Sequence, residues 1–109
     1  MIQAHFSGEK ITSSSPEAFS LYEKSRLGEK KQGKIEYSLA EALFLSQEKK
    51  LSIIQNKKEL TEERLLKKAK KIDKKIETKL LVFADLRKKG YIVKTALKFG
   101  AEFRVYEKG

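Results

Sequence analysis

Apolar and polar residues alternate in short groups along the first half of the chain. Residues 2–6 alternate as a half-buried strand does, and a Ser-Gly turn follows them. Lys34–Tyr37 and Leu51–Gln55 are short groups rich in β-branched or aromatic residues, which predict two more strands. Asn56 begins the turn after the last of them. The pattern is that of a small unit that mixes short strands and helices.

Two helix starts interrupt these strands. Ser15 is a preferred N-cap residue, and Pro16 suits the first helical position, so a helix is predicted from there to about Gly28. Ser38 and Glu41 have the spacing of a capping box, in which each side chain bonds the backbone N–H of the other residue. An apolar helix is therefore predicted to begin immediately after Ser38.

The second half of the chain carries one long helical stripe. Its apolar positions are four, three, four, four and three residues apart: Leu65, Ala69, Ile72, Ile76, Leu80 and Phe83. Thr61 can cap its first turn. The stripe fits one long helix or two shorter ones. A break near Asp73 is favoured, because Asp73 can cap a second helix and the densest run of lysines precedes it.

A β-hairpin is predicted at the end of the chain. Gly90 follows two lysines, which is a common way to end a helix. Residues 91–95 and 101–106 then read as two strands joined by a glycine-containing turn. Side chains alternate across a strand, so Tyr106 shares a face with Arg104, and this face is the polar one.

The net charge of +10 adds a functional indication. A surplus of this size favours polyanions, through contacts with phosphates and release of counterions. Residues 57–75 alone carry nine basic and four acidic side chains. The alternative is a solvated surface rich in Lys and Glu, as is common in heat-loving organisms. Charge alone does not decide between the two.

Other features exclude some classes of protein. The chain has no Cys, so it can form neither disulfides nor thiolate metal sites. Its single histidine, His5, cannot form a zinc site by itself. It shows neither the apolar stretch of a signal peptide nor a run long enough to span a membrane. The cytoplasm is therefore the default expectation.

Three segments of the chain resemble a known family. Residues 85–95 read DLRKKGYIVKT and residues 97–106 read LKFGAEFRVY, which resembles the opening of the catalytic domain of archaeal tRNA-splicing endonucleases. Residues 37–45, YSLAEALFL, are similar to a helix of the family's N-terminal domain. One departure is Ala96, where the family usually has Gly. The order and spacing of the segments agree with the family over most of the chain.

The resemblance implies an α+β fold in two parts. Residues 1–72 would form the small N-terminal domain, in which helices and strands are mixed. Residues 73–109 would give the first helix and the β-hairpin of a nuclease-like catalytic domain, which would be incomplete. The implied activity is excision of introns from precursor tRNA at bulge-helix-bulge sites, leaving 2′,3′-cyclic phosphate and 5′-hydroxyl ends. Neither a metal nor another cofactor is implied. The implied partners are precursor tRNA and another endonuclease subunit, in a homo- or hetero-oligomer, with no membrane.

The resemblance also assigns site residues. Tyr106 matches the tyrosine that acts as general base on the 2′-hydroxyl, and Arg104, Lys94 and Lys98 are the predicted RNA contacts. A phenol has an ordinary pKa of about 10, so a base role needs cationic neighbours. The other interpretation of Tyr106 is a strand tyrosine that makes one hydrogen bond.

The family's His and Lys lie downstream of its tyrosine, and His5 is not a substitute for that histidine. The chain is therefore expected to hold one member of a three-member site. It would be a piece of a longer enzyme or a subunit that a partner completes, and in either case inactive alone. The alternatives are a non-catalytic structural subunit and a small basic RNA-binding module. No RNA-binding signature in the sequence supports the module.

Overall fold

A computed structural model describes residues 1–95 and 103–106 of the chain. The elements follow one another as β1 (Ile2–Ser7), β2 (Lys10–Ser13), α1 (Pro16–Ser25), β3 (Glu29–Lys31), β4 (Lys34–Tyr37), α2 (Leu39–Gln47), β5 (Leu51–Gln55), β6 (Lys58–Leu60), α3 (Glu62–Ile72), α4 (Ile76–Lys88), β7 (Ile92–Thr95) and β8 (Phe103–Tyr106). The first six strands form one sheet in the order β3-β4-β2-β1-β5-β6, and β7 pairs with β8. The predicted α+β class is confirmed.

The six-stranded sheet has one buried face and one open face. In β1, Ile2, Ala4 and Phe6 are buried, and the residues between them are exposed. Strands β2 and β4 alternate in the same way. Helices α1, α2 and α3 contact strands of this sheet, and the Lys68 ammonium of α3 lies 5.5 Å from the centre of the buried Phe6 ring. The helices therefore cover the buried face, and the other face is left to solvent.

Three of the four predicted N-terminal helix caps, Ser15, Ser38 and Thr61, are confirmed. Ser15 accepts a hydrogen bond from the Ala18 N–H at 3.3 Å, and Thr61 caps α3 in the same way. Ser38 and Glu41 form the full capping box, with bonds of 3.1 Å and 2.9 Å. These side chains satisfy backbone N–H groups that the first helical turn leaves without partners. The starts of α1, α2 and α3 were thus predictable from local sequence.

The long apolar stripe is divided between two helices, as favoured. The proposed cap of the second helix was wrong, because Lys75 occupies the N-cap position of α4 and makes no side-chain capping bond. Asp73 is instead the C-cap of α3, and its carboxylate accepts bonds from the Lys75 N–H and the Lys79 ammonium. Helix α4 starts too far beyond Asp73 for this residue to be its cap. Ile72, the last apolar position of the stripe within α3, is exposed.

Three strands, β2, β3 and β6, were not predicted. The hairpin was predicted and is confirmed: β7 and β8 pair antiparallel, from Ile92 opposite Tyr106 to Thr95 opposite Phe103. Its first strand begins one residue later than expected. The predicted turn at Gly100 and the first two positions of the second strand lie outside the described residues.

One hydrophobic core extends through most of the chain. Phe83 of α4 is fully buried and meets Phe44 of α2 edge to face, with ring centres 5.5 Å apart. Leu80 and Val93 belong to the same core as the residues of the large sheet. The predicted division into domains 1–72 and 73–109 falls at the break between α3 and α4, although the core continues across it. The division stays a prediction.

Candidate active-site hairpin and its anchor

Tyr106 ends strand β8 of the hairpin. It lies opposite Ile92 in the antiparallel register, and 49% of its surface is exposed. The half-exposed ring fits the predicted polar face of the strand. A substrate could therefore reach Tyr106 from solvent.

The predicted RNA contacts are placed as follows. Lys94 and Arg104 occupy opposite positions of β7 and β8. Lys98 lies outside the described residues. The register thus brings two of the three cationic residues to one point of the hairpin, two residues along the strands from Tyr106. Their role in RNA binding stays a prediction.

The Lys94 ammonium is engaged inside the molecule. It donates hydrogen bonds to the carbonyl oxygens of Arg26 and Gly28, the latter at 2.5 Å, and lies 3.9 Å from Glu41 Oε2. It also lies 5.8 Å from the centre of the Tyr22 ring. Burial lowers the pKa of Lys94, and the Glu41 carboxylate opposes that shift. These contacts weigh against a direct role in binding RNA phosphates, because they leave only 20% of the side chain exposed.

Arg87 reaches the same segment from α4. Its guanidinium donates to the carbonyl oxygens of Ser25 and Arg26, at 2.6 Å and 3.1 Å. Burial lowers the pKa of Arg87, and Glu41 again opposes the shift. The carbonyls at the end of α1 would otherwise lack partners, since a helix leaves its last C=O groups unpaired. Arg87 and Lys94 therefore hold the loop after α1 from two different elements.

Glu41 is the negative centre between these cations. Its Oε1 accepts from the Ser38 N–H at 2.9 Å, and its Oε2 accepts from the Gly28 N–H at 2.8 Å. Only 2% of the residue is exposed. We call Glu41, Arg87, Lys94 and the loop 25–28 the anchor, because they connect α4 and β7 to the large sheet. The sequence pattern identified Glu41 as a capping residue only. Arg87 belongs to the DLR segment, and the sequence pattern assigned it no role.

The structure shows no group of three His, Cys, Asp or Glu side chains suited to a metal ion within residues 1–95 and 103–106. His5 lies on the open face of the sheet, opposite Thr12 of β2. No helix in the described part of the chain is long and apolar enough to cross a membrane.

Comparison with known families accounts for both parts of the chain. Residues 2–66 match the model of the tRNA intron endonuclease N-terminal domain, and residues 76–109 match that of the tRNA intron endonuclease catalytic C-terminal domain. Both matches are to domains of one and the same family. The chain belongs to the tRNA intron endonuclease family.

Curated relatives agree with this assignment. The chain is 39% identical to a tRNA-splicing endonuclease of Thermococcus gammatolerans, over 100% of this chain and 66% of the relative. It is 41% identical to that of Thermococcus onnurineus, over 99% and 64% respectively. A more distant match, of Methanothermobacter thermautotrophicus, is 38% identical over 82% of this chain and 51% of the relative. The chain thus spans no more than about two thirds of the length of these relatives.

Proposed function

We propose that the protein takes part in the excision of introns from precursor tRNA, by cutting RNA at bulge-helix-bulge sites. The observation that carries this proposal is the position of Tyr106. It is a half-exposed tyrosine at the end of a hairpin strand, within the segment that matches the catalytic domain. The surplus of positive charge fits an RNA substrate. We also propose that the protein works in the cytoplasm, in an oligomer with another endonuclease subunit.

The proposed chemistry uses the RNA's own 2′-hydroxyl as the nucleophile. Tyr106, as the general base, takes the proton from this 2′-hydroxyl, and the 2′-oxygen attacks the adjacent phosphorus. The bond from phosphorus to the 5′-oxygen then breaks, which leaves a 2′,3′-cyclic phosphate and a 5′-hydroxyl. A histidine would donate the proton to the leaving oxygen, and a lysine would offset the phosphate charge. No metal is required, because no water has to be activated.

We expect a polypeptide of these 109 residues to bind RNA weakly and not to cleave it. His5, its single histidine, lies on the open face of the large sheet rather than on the hairpin. Loss of members of a cooperating site costs orders of magnitude in rate.

A second candidate, a non-catalytic structural subunit, is favoured by the anchor, which holds the hairpin through residues other than Tyr106.

Substitution at Tyr106 tests the proposal. The chain is fused to the C-terminal third of one of its relatives, and cleavage of a precursor tRNA with a bulge-helix-bulge site is measured without magnesium. Tyr106→Phe keeps the ring but removes the ionisable group. Cleavage should then fall by roughly 10²–10⁴-fold, the usual contribution of a general base. Tyr91→Phe is the matched control, because Tyr91 is also partly exposed and immediately precedes β7.

Full activity of Tyr106→Phe would show that the base assignment is wrong. An inactive fusion that gains activity only on addition of a second, catalytic subunit would favour the structural subunit instead.

A further inference from the structure

A polar groove of about 580 Å³ lies on the open face of the large sheet. Its lining comes from β2, β4 and the end of β3: Lys10, Thr12, Lys31, Gln32, Lys34 and Glu36. The strand residues among them alternate with buried ones, such as Ile11 and Ile35. They therefore point away from the helices and the core. The anchor uses none of them.

The charges of the groove are unbalanced. Lys31 and Lys34 are directly opposite each other in the pairing of β3 and β4, and like charges in such a pair destabilise a sheet. The structure pairs none of the three groove lysines with a carboxylate within residues 1–95 and 103–106. Glu36 is the single acidic residue in the lining. A bound anion would relieve the repulsion between the lysines.

The groove is preformed. Gln32 and Gly33 connect β3 to β4 as a two-residue turn, both with positive φ, of 48° and 78°. Turns with positive φ at both central positions match the twist of the paired strands and make tight hairpins. The hydroxyl of Thr12 and the amide of Gln32 add uncharged hydrogen-bond donors beside the lysines. Phosphate oxygens accept bonds from donors of both kinds.

Strand β3 connects the groove to the anchor. Gly28, immediately before β3, bonds Glu41 and Lys94, and Lys31 at the end of β3 lines the groove. Three residues of a strand span about 10 Å. The groove therefore begins within a few nucleotides' length of the point where the hairpin is held. One RNA could contact both.

We propose that this groove binds the phosphate backbone of the RNA substrate beside the cleavage site. The inference rests on the proposed function for the identity of the RNA, and on the groove's own charges for the contact. Lys10, Lys31 and Lys34 supply the positive charge, and Thr12 and Gln32 supply neutral donors. The contact orients the RNA and takes no part in the chemistry.

The test compares two triple variants of the full chain with equal charge. The groove variant removes the three groove lysines, by Lys10→Gln, Lys31→Gln and Lys34→Gln. The α3 variant removes three exposed lysines of α3 and of the linker after it, by Lys67→Gln, Lys71→Gln and Lys74→Gln. The three lysines of the α3 variant make no ion pairs within the part of the chain that the structure describes. Circular dichroism confirms the fold of both. Binding of a precursor tRNA is then titrated at several salt concentrations.

A plot of the logarithm of the binding constant against the logarithm of salt concentration should be less steep for the groove variant than for wild type. The two slopes should differ by about 2–3. Each phosphate contact contributes about 0.7–0.9 to this slope. At 0.1 M salt, the affinity should fall by at least about tenfold. The α3 variant should change the slope by less than about 1. Equal losses in both variants would overturn the proposal, because binding would then follow net charge alone. An unchanged slope in the groove variant would overturn it too.

A second RNA separates this proposal from the proposed function. The same titrations use an RNA duplex of equal length without bulges. If wild type binds both RNAs equally, the proposed recognition of the splicing substrate is wrong. A selective loss in the groove variant would still support the phosphate site in that case. If wild type prefers the precursor and the groove variant keeps that affinity, the groove fails and the proposed function stands.

Discussion

Glu41 offers the sharpest test of the anchor. The substitution Glu41→Gln keeps the shape of the side chain but removes its charge and one of its two acceptor oxygens. Both oxygens are in use, since Oε1 accepts from the Ser38 N–H and Oε2 from the Gly28 N–H. The amide of Gln must therefore direct an N–H group at one of these donors. The Lys94 ammonium, 3.9 Å from Oε2, loses its counter-charge at the same time.

The magnitude follows from these contacts. A hydrogen bond to a charged group contributes roughly 1.5–3 kcal/mol, and a buried donor left without an acceptor costs about 1–3 kcal/mol. Lys94 is partly exposed, so we take only about 1 kcal/mol for its lost ion pair. Glu41→Gln should therefore lower the free energy of unfolding by about 2–4 kcal/mol. Glu41→Ala leaves both donors unpaired and should cost about 3–5 kcal/mol, as removal of one partner of a buried pair does.

Urea unfolding followed by circular dichroism measures both values. A double-mutant cycle with Lys94→Met isolates the interaction of the two side chains, because Met keeps most of the apolar stem and removes the ammonium. We expect a coupling of about 1 kcal/mol or more. Glu62→Gln is a suitable control: Glu62 is a partly exposed carboxylate, paired with Lys49 on the surface. Its loss should cost less than about 1 kcal/mol.

A free energy of unfolding for Glu41→Gln within about 0.5 kcal/mol of wild type, the range of ordinary surface substitutions, would show that the charge and second oxygen of Glu41 do not stabilise the anchor. A coupling energy near zero between Glu41 and Lys94 would distinguish the two roles of Glu41. Glu41 would still be a cap of α2, but it would not hold the hairpin through Lys94.

Two further predictions concern residues that follow helices. Gly28→Ala should destabilise the protein by about 3 kcal/mol or more, measured by urea unfolding, because its Cβ would lie 2.3 Å from the Ile35 side chain and φ is +89°. Asp73→Asn should cost about 1 kcal/mol at neutral pH, since the hydrogen bond from Lys79 lowers the pKa of Asp73 in the folded state. That contribution is present above the unfolded pKa of about 3.9 and is lost as pH falls through the folded value. Unfolding curves of Asp73→Asn and wild type should thus converge in acid and differ at neutral pH.

Sequence reasoning succeeded where the structure depends on neighbouring residues. The caps Ser15, Ser38 and Thr61 act within their own first turns, so the local pattern contained the whole interaction. The break between α3 and α4 was also predicted at the right place, although Asp73 ends α3 and does not cap α4. The terminal hairpin followed from the alternation of its strands and from its resemblance to a family.

Three strands were missed because their side chains carry little strand signal. The edge strands β3 and β6 read Glu-Lys-Lys and Lys-Glu-Leu, and edge strands are often short and charged. Strand β2 has Ile11 as its only large apolar residue. These segments become strands through pairing with β4, β5 and β1, and a local pattern cannot show which partner supplies the hydrogen bonds.

The anchor was missed for a related reason. Lys94 and Arg87 bond carbonyl oxygens that are more than 60 positions away in the chain. Every residue has a backbone carbonyl, so a hydrogen bond to one requires no particular residue type. Such bonds therefore cannot be predicted from composition or spacing. Lys94 was predicted to contact RNA as one of three cationic residues in the segments that resemble the catalytic domain. Its burial in the anchor follows only from the three-dimensional arrangement.

These long-range bonds bear on the role of the N-terminal part. Apolar packing would join α4 and β7 to the sheet at least as strongly, because partly buried charges lose solvation. Charged donors aimed at particular carbonyl oxygens add direction, which apolar contacts lack. The loop 25–28 can accept bonds from Arg87 and Lys94 together only when both elements lie in one orientation. Since Lys94 is opposite Arg104 in the strand that ends at Tyr106, the anchor sets the position of the proposed catalytic base relative to the sheet. We therefore expect the large sheet to position this hairpin.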